Sequence, residues 1–257
     1  TRLLGTVRRI LVSDSTTLGM HQSLHKAFPG ASNQNSATPQ ACARLQVTMD
    51  LLRGRFLHFG LSGFRRNDQA ASMDVLDVLK PGDLLLRDLG YFTLRSLAAI
   101  AQHGAFFLSR LRYNTGLFGA NGDGLNLVKR LRKAVKQGRK KVVFEAQLGK
   151  RERLPVTVVA LRLSKELAAE RRRKAREDRD RRLNHDSAYY ELLGWSILIT
   201  NLPAKEVSEI NLRELYALRW RIENVFKAWK GGLRPGDFSE HRSNQWHLRC
   251  LLLGQMI

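Results

Sequence analysis

The stretch Leu212–Lys230 (LRELYALRWRIENVFKAWK) constrains this chain more than any other. Placed on a helix at ~100° per residue, its side chains sort into three arcs. Leu215, Leu218, Ile222, Val225, Phe226 and Trp229 make an apolar arc that must face a core, while Arg213, Ala217, Arg221, Asn224 and Ala228 make a solvent arc. Tyr216, Arg219, Trp220, Glu223, Lys227 and Lys230 crowd into the third. A single acid inside a stripe of bases and aromatics, beside a buried face, is an odd surface to present to water. It suits a site that holds a metal ion and a phosphate backbone together.

The charge of the whole chain points the same way. Its 257 residues hold 44 Lys and Arg against 23 Asp and Glu, a formal charge of +21. Such an excess favours a polyanionic partner, usually nucleic acid, against a basic surface serving solubility or a ribosomal location. Cys42 and Cys250 are far apart and lack metal-ligand companions, which fits a reducing cytoplasm without disulfides or a zinc site. No apolar run approaches the ~18 residues of a membrane span. The opening at Thr1 and the stop in an apolar run, Leu251-Leu252-Leu253, read as those of a fragment.

Arg8–Ser13 reads as a strand ending at Asp14, followed by a polar turn, Ser15-Thr16-Thr17. A Gly/Ser/Asn-rich loop runs from Pro29 to Thr38. Arg44–Leu52 and Phe56–Leu61, joined at Arg53-Gly54-Arg55, form a hairpin. Asp68–Leu79 is expected as a short helix, Asp83–Arg87 (DLLLR) as a strand ending at Asp88, Thr93–His103 as a helix and Ala105–Leu111 as a strand. This is a mixed α/β core. Residues 110–186 then carry 23 Lys and Arg against 9 Asp and Glu, so +14 of the total sits there. Within them Gly116–Gly124 is loop-like, Leu125–Val135 helical, and Val142–Leu148 and Val156–Leu163 strands. Glu166–Leu183 is an exposed helix, either solvated and laced with Glu–Arg pairs or in direct contact with DNA. Trp195–Thr200 is a strand, broken at Asn201-Leu202-Pro203. The Leu212–Lys230 helix follows, with Asn211 as N-cap and Glu214 completing a capping box.

Two acids stand at strand ends, Asp14 and Asp88, and Glu223 comes from the opening helix. Three carboxylates on rigid elements would hold two Mg²⁺ ions, hard cations that take oxygen ligands, and two such ions stabilise both the attacking and the leaving oxygen of a phosphodiester displacement. Asp14 would bridge the pair. Asp83, at the other end of the Asp88 strand, is a rival turn-forming acid, and Asp74 and Asp77 read as ordinary exposed helix residues. The seven histidines form no ligand spacing.

The spacing Tyr216-x2-Arg219-x3-Glu223-x6-Lys230 resembles the Tyr-Arg-Glu-Lys signature of bacterial insertion-sequence transposases of the IS-four superfamily, with their DDE catalytic domain. The wording around Asp14 (SDSTTL), around Asp88 (RDLGYF, then FFLSRL) and in GWSILITNLP is also similar to that family, so the likeness spans Arg8 to about Lys230. It implies a ribonuclease-H-like mixed sheet flanked by helices, with residues 1–111 and 194–257 as the core and 112–193 as a basic, mostly β insertion before the Glu-bearing helix. Asp14, Asp88 and Glu223 would be the metal-binding catalytic triad, served by Mg²⁺ or Mn²⁺. Tyr216, Arg219 and Lys230 would contact phosphates of double-stranded DNA, with Lys227 as a further contact. Trp195 resembles the aromatic that some members insert where a base is flipped from a hairpinned end; a core role in its strand is the alternative. Trp220 would stack a base or pack partly in the core. The resemblance implies strand cleavage and strand transfer at transposon ends by a homodimer in a cytoplasmic, nucleoid-associated setting. A metal nuclease or resolvase of the same fold, or a catalytically silent DNA-binding descendant, are the alternatives. The family's N-terminal end-recognition region has no counterpart in this chain, and little follows Lys230.

Overall fold

Ile10-Leu11-Val12 and Leu84-Leu85-Leu86 are apolar runs without alternation, as expected of strands covered on both faces, and all six residues are buried. A computed structural model of the chain describes residues 5–31, 40–178, 186–209, 211–232, 250 and 254. In chain order its strands are β1 (Arg9–Met20), β2 (Ala41–Asp50), β3 (Arg55–Gly63), β4 (Asp83–Arg87), β5 (Phe106–Arg110), β6 (Leu117–Phe118), β7 (Lys141–Leu148), β8 (Leu154–Arg162) and β9 (Trp195–Thr200). Its helices are α1 (Leu94–Gln102), α2 (Leu127–Lys136), α3 (Lys165–Glu177), α4 (Ser187–Leu192), α5 (Ala204–Glu209), α6 (Leu212–Ala217) and α7 (Trp220–Gly232). Mixed α/β architecture follows directly. No helix among the described residues is long and apolar enough to cross a membrane.

The chain divides into two compact units, one of residues up to Ala105 and from Arg213 onward, the other Phe106–Leu212. In the first, strand order is β3-β2-β1-β4. β1 runs antiparallel to β2 along its length and parallel to β4 from Arg9↔Asp83 to Ser13↔Arg87. The first half of β1 is therefore flanked on both edges and buried. Its second half pairs with β2 alone and alternates, with Thr16 and Leu18 inward. Hence Ser15-Thr16-Thr17 is not a turn, as its polarity implied: β-branched residues on a half-open antiparallel ladder hold the strand to Met20. The β2–β3 hairpin closes through Gly54 at φ 64°, a left-handed position that suits glycine. Thr93 caps α1, its hydroxyl accepting from the Ser96 N–H at 3.1 Å.

Two further expectations in this unit change. Asp68–Leu79 is not a regular helix but a run of turns with one 3-10 segment, Asp74–Asp77. Side chains there divert the chain: Asn67 takes the Ala70 N–H, and Arg66 makes a two-pronged bond to Asp74 at 2.6 and 2.7 Å. Asp74 is thus half-buried and paired, whereas Asp77 is exposed as expected. The helix expected over Leu212–Lys230 is broken into α6 and α7 at Leu218-Arg219, whose N–H groups bond three residues back, to Leu215 and Tyr216. The arcs survive the break. Leu215, Ile222 and Phe226 are buried, Leu218, Val225 and Trp229 half-buried, and Arg213, Ala217, Arg221, Asn224 and Ala228 exposed. The Trp229 ring seats α7 on β3, 5.2 Å from Phe56 and 6.1 Å from Phe59.

In the second unit strand order is β5-β9-β8-β7-β6, antiparallel throughout. Asn126, Ser164 and Asp186 cap α2, α3 and α4. Leu131 and Ala134 of α2 pack with Ala160 and Trp195 in a small core. The short strand β6 lies inside the expected Gly116–Gly124 loop. Most of the Pro29–Thr38 loop, the end of the polar helix after Asp178, His185, His241, His247 and Leu251-Leu252-Leu253 lie outside the described residues. Cys42 is half-buried and Cys250 exposed, and both are free thiols.

Candidate active site

The last parallel pair between β1 and β4 is Ser13↔Arg87, so Asp14 and Asp88 are the next residue on each of two neighbouring strands. Register alone puts these two carboxylates side by side, at the point where β4 ends and β1 continues. Glu223 enters from α7, which packs on β1. All three acids surround one guanidinium. Arg219 Nη1 donates to Glu223 Oε1 at 2.9 Å and to Asp14 Oδ2 at 3.3 Å, and its Nε lies 4.0 Å from Asp88 Oδ1. Arg219 is 8% exposed at its side chain, Asp14 15%, Glu223 26% and Asp88 38%. Three segments separated by as much as 205 positions thus meet on one cation.

The electrostatics follow from crowding. Burial pushes the Asp14 carboxyl up to about 6; the Ser15 N–H and Arg219 pull it down, and the neighbouring Glu223 and Asp88 charges push it further up. Burial alone would lower Arg219, but Asp88, Tyr216, Asp14 and Glu223 outweigh it and raise the guanidinium above its ordinary value. A carboxylate whose folded value is raised takes up protons more readily folded than unfolded. Its contribution to stability is therefore intact below its ordinary value near 4 and declines as pH rises through about 6. In metal-free buffer the loss is on the order of 3 kcal/mol at most. Denaturant titrations from pH 4 to 8 check this: Asp14→Asn should flatten the profile and be at least as stable as the parent at neutral pH. Parallel profiles for the two proteins would contradict it.

Neighbouring groups hold the acids in place. The Tyr216 hydroxyl donates to the Arg87 carbonyl at 3.1 Å, tying α6 to the residue before Asp88. Asp68, expected at the start of a short helix, is a site neighbour that the sequence did not single out. It accepts from Ser15 Oγ at 2.6 Å, Gln46 Nε2 at 3.1 Å and Arg44 Nη1 at 3.3 Å. Its other oxygen lies so near Gly90 that a Cβ there would sit 2.8 Å away. Asp68 therefore links the residue after Asp14 to the turn after Asp88. A lone acid at the head of a segment that reads as a short helix carries no sequence signal for that role.

Asp83, the rival acid, is only 1% exposed and sits at the far end of β4, bonded to Arg9 Nε at 2.7 Å and to the Lys80 N–H at 2.7 Å. It is a structural residue. The Trp220 ring is 57% exposed with the Arg219 guanidinium 5.1 Å from its centroid, and Lys227 and Lys230 are exposed along α7. Trp195 is 7% exposed and clusters with Leu131, Ala134 and Ala160, the placement that a core role in its strand implies.

Oxygen donors of this kind suit a hard divalent ion. Among the described residues, however, no three His, Cys, Asp or Glu side chains are placed to hold one. Arg219 takes the shared position instead and supplies the positive charge that the acids need.

Residues 5–254 match the family described as Transposase DDE domain, and the chain belongs to that family. It is 29% identical to the transposase for insertion sequence element IS231C of Bacillus thuringiensis subsp. berliner and 30% identical to that for IS231D of subsp. finitimus, in each case over 97% of this chain and 55% of the relative. It is 23% identical to the transposase for IS1151 of Clostridium perfringens over the same shares. The chain therefore spans about 55% of the length of the curated relatives it matches. A chain in the cryo-EM structure of the piggyBac transposase synaptic complex with hairpin DNA aligns over 97% of this chain and 45% of its own length, with a TM-score of 0.49 and 8% identity.

Proposed function

We propose that this chain is the catalytic part of a DNA transposase, cutting and joining strands at the ends of an insertion sequence with Mg²⁺. The observation that carries the reading is the meeting of Asp14, Asp88 and Glu223 around Arg219, in a chain of the Transposase DDE domain family. Family membership, the +21 charge and the names of the relatives support DNA as the substrate.

In this reading Asp14, Asp88 and Glu223 would hold the ions. When bound, two divalent ions would activate the attacking hydroxyl and stabilise the attacking and leaving oxygens of an in-line displacement at phosphorus. Arg219, which neighbours all three acids, would also contact a DNA phosphate. Tyr216 keeps α6 against the end of β4 and so keeps Asp88 beside Asp14. Lys227 and Lys230 meet phosphates along α7, and the exposed Trp220 ring stacks on a base. Tyr216, Arg219, Glu223 and Lys230 are taken as the Tyr-Arg-Glu-Lys signature, the first unit with its β3-β2-β1-β4 order as the start of a ribonuclease-H-like sheet, and residues 112–193 as an insertion within that fold. The protein would act as a homodimer in a synaptic complex, in the bacterial cytoplasm on the nucleoid.

A strand-transfer assay with a pre-cleaved transposon end tests this in the full-length protein. Joined products are the expected result. Cleavage of intact ends without any joining would identify a metal nuclease instead, and binding with neither reaction a silent DNA-binding protein.

A further inference from the structure

Within the basic second unit, two helices compete as the surface that meets DNA, and their charges are arranged very differently. The stretch 129–141, from α2 into the start of β7, has eight Lys and Arg and no acid. All eight side chains are exposed. The helix beneath them is pinned, because Leu131 and Ala134 are buried against Ala160 and Trp195. Two of the eight are engaged, Arg132 in a two-pronged bond to Glu191 and Arg130 over the Phe144 ring at 4.2 Å. A depression of about 440 Å³ is lined by Arg130, Lys133, Arg139 and Lys141 together with Ala134 and Val142.

α3 holds more arginine, yet five of its six bases are engaged within the protein. Lys174 pairs with Glu170 at 2.7 Å and Arg173 with Glu177 at 2.9 Å. Arg172 donates to the Tyr190 carbonyl, Arg171 to the Trp195 carbonyl, and Arg176 lies over the Tyr190 ring. An exposed base already paired with an acid releases little counterion on meeting a phosphate, whereas an unopposed one releases a full share.

We propose that the face formed by α2 and the first residue of β7, centred on Lys133, Arg139 and Lys141, is a phosphate-backbone binding surface for duplex DNA, and that α3 is a solvated structural helix. This rests on the transposase reading and deepens it by choosing between the two helices. The contacts are to phosphates, so the surface positions DNA without reading its sequence.

The test is the salt dependence of binding to a short duplex of arbitrary sequence. One variant of the chain carries Lys133→Gln, Arg139→Gln and Lys141→Gln; the other carries Arg173→Gln, Lys174→Gln and Arg176→Gln. Both remove three charges from exposed positions, so a general loss of net charge would move them equally. The α2 variant should lower the slope of log affinity against log salt by about 3 and weaken binding at least about tenfold at physiological salt, and the α3 variant should change the slope by less than about 1. Equal effects, or a larger effect from α3, would overturn the proposal. So would tighter binding of an RNA duplex than of DNA by the parent. A parent chain whose binding to duplex DNA is independent of salt would remove the transposase reading itself, a result distinct from equal effects of the two variants. Thermal melts of both variants show that any loss is not one of folding.

Discussion

Asp88→Ala is expected to lower strand cleavage by about 10³-fold or more in the full-length protein while leaving its melting temperature close to the parent's. The first half rests on the site. A carboxylate that holds a catalytic divalent ion acts on transition-state charge stabilisation of several kcal/mol, and each 1.36 kcal/mol is tenfold in rate. The second half rests on exposure: the Asp88 side chain is 38% exposed and stands beside two other acids, Asp14 and Glu223, that share one guanidinium. Substitutions at exposed positions usually stay within about 0.5 kcal/mol, and the attraction to Arg219 lost with Asp88 is offset by relief of its repulsion with Asp14. Nicking of a plasmid bearing the element's ends, read on a gel beside a thermal melt, measures both. A variant that still cleaves within tenfold of the parent would take Asp88 out of the chemistry. Loss of cleavage with an equally large drop in melting temperature would place its role in folding.

What the sequence discloses by itself, and what it does not, divides along local and non-local causes. Strands β4 and β9 are legible to the residue because each is a short apolar run bounded by turn formers, and α1 because Thr93 announces its start. The extension of β1 through Ser15-Thr16-Thr17 depends on β2, whose pairing no local pattern shows. The failed helix over Asp68–Leu79 is likewise a tertiary effect, since Asp68 is drawn to Ser15 and Gln46 from two other strands. At the site, periodicity places Tyr216, Arg219 and Glu223 on one arc without showing that Arg219 lies inside it, 6% exposed. That Asp14 and Asp88 are neighbours is a matter of strand register; their places at two strand ends and the family resemblance both pointed to it, but their spacing in the chain did not. For Trp195 the motif resemblance offered a base-inserting ring and a core role in its strand was the alternative; its packing with Leu131, Ala134 and Ala160 is a contact no local pattern shows.

Asp83→Ala should show the mirror image of Asp88→Ala, although the two acids bracket the same five-residue strand. Asp83 is 1% exposed and accepts from Arg9 Nε and Nη2 and from the Lys80 N–H, so it fastens the start of β4 to the start of β1 and closes the turn before it. The bond is strong enough that hydrogen bonding to Asp83 raises the Arg9 guanidinium above its ordinary value. Alanine would leave a half-buried guanidinium and a backbone N–H without their acceptor. Breaking a buried pair by removing one partner costs about 3–5 kcal/mol. In a protein of this size that lowers the melting temperature by roughly 10 °C. Below its own transition the variant should still cleave, because the parallel ladder carries the disturbance away from Asp14: Arg9↔Asp83 is the first pair and Ser13↔Arg87 the last. Asp83→Asn, which keeps an acceptor for the Lys80 N–H, should fall between parent and alanine. Denaturation curves for both variants, with cleavage measured at a temperature where each is folded, check the pair of claims. A fully stable Asp83→Ala protein that has lost cleavage would exchange the roles of the two acids and move the chemistry to the opposite end of β4.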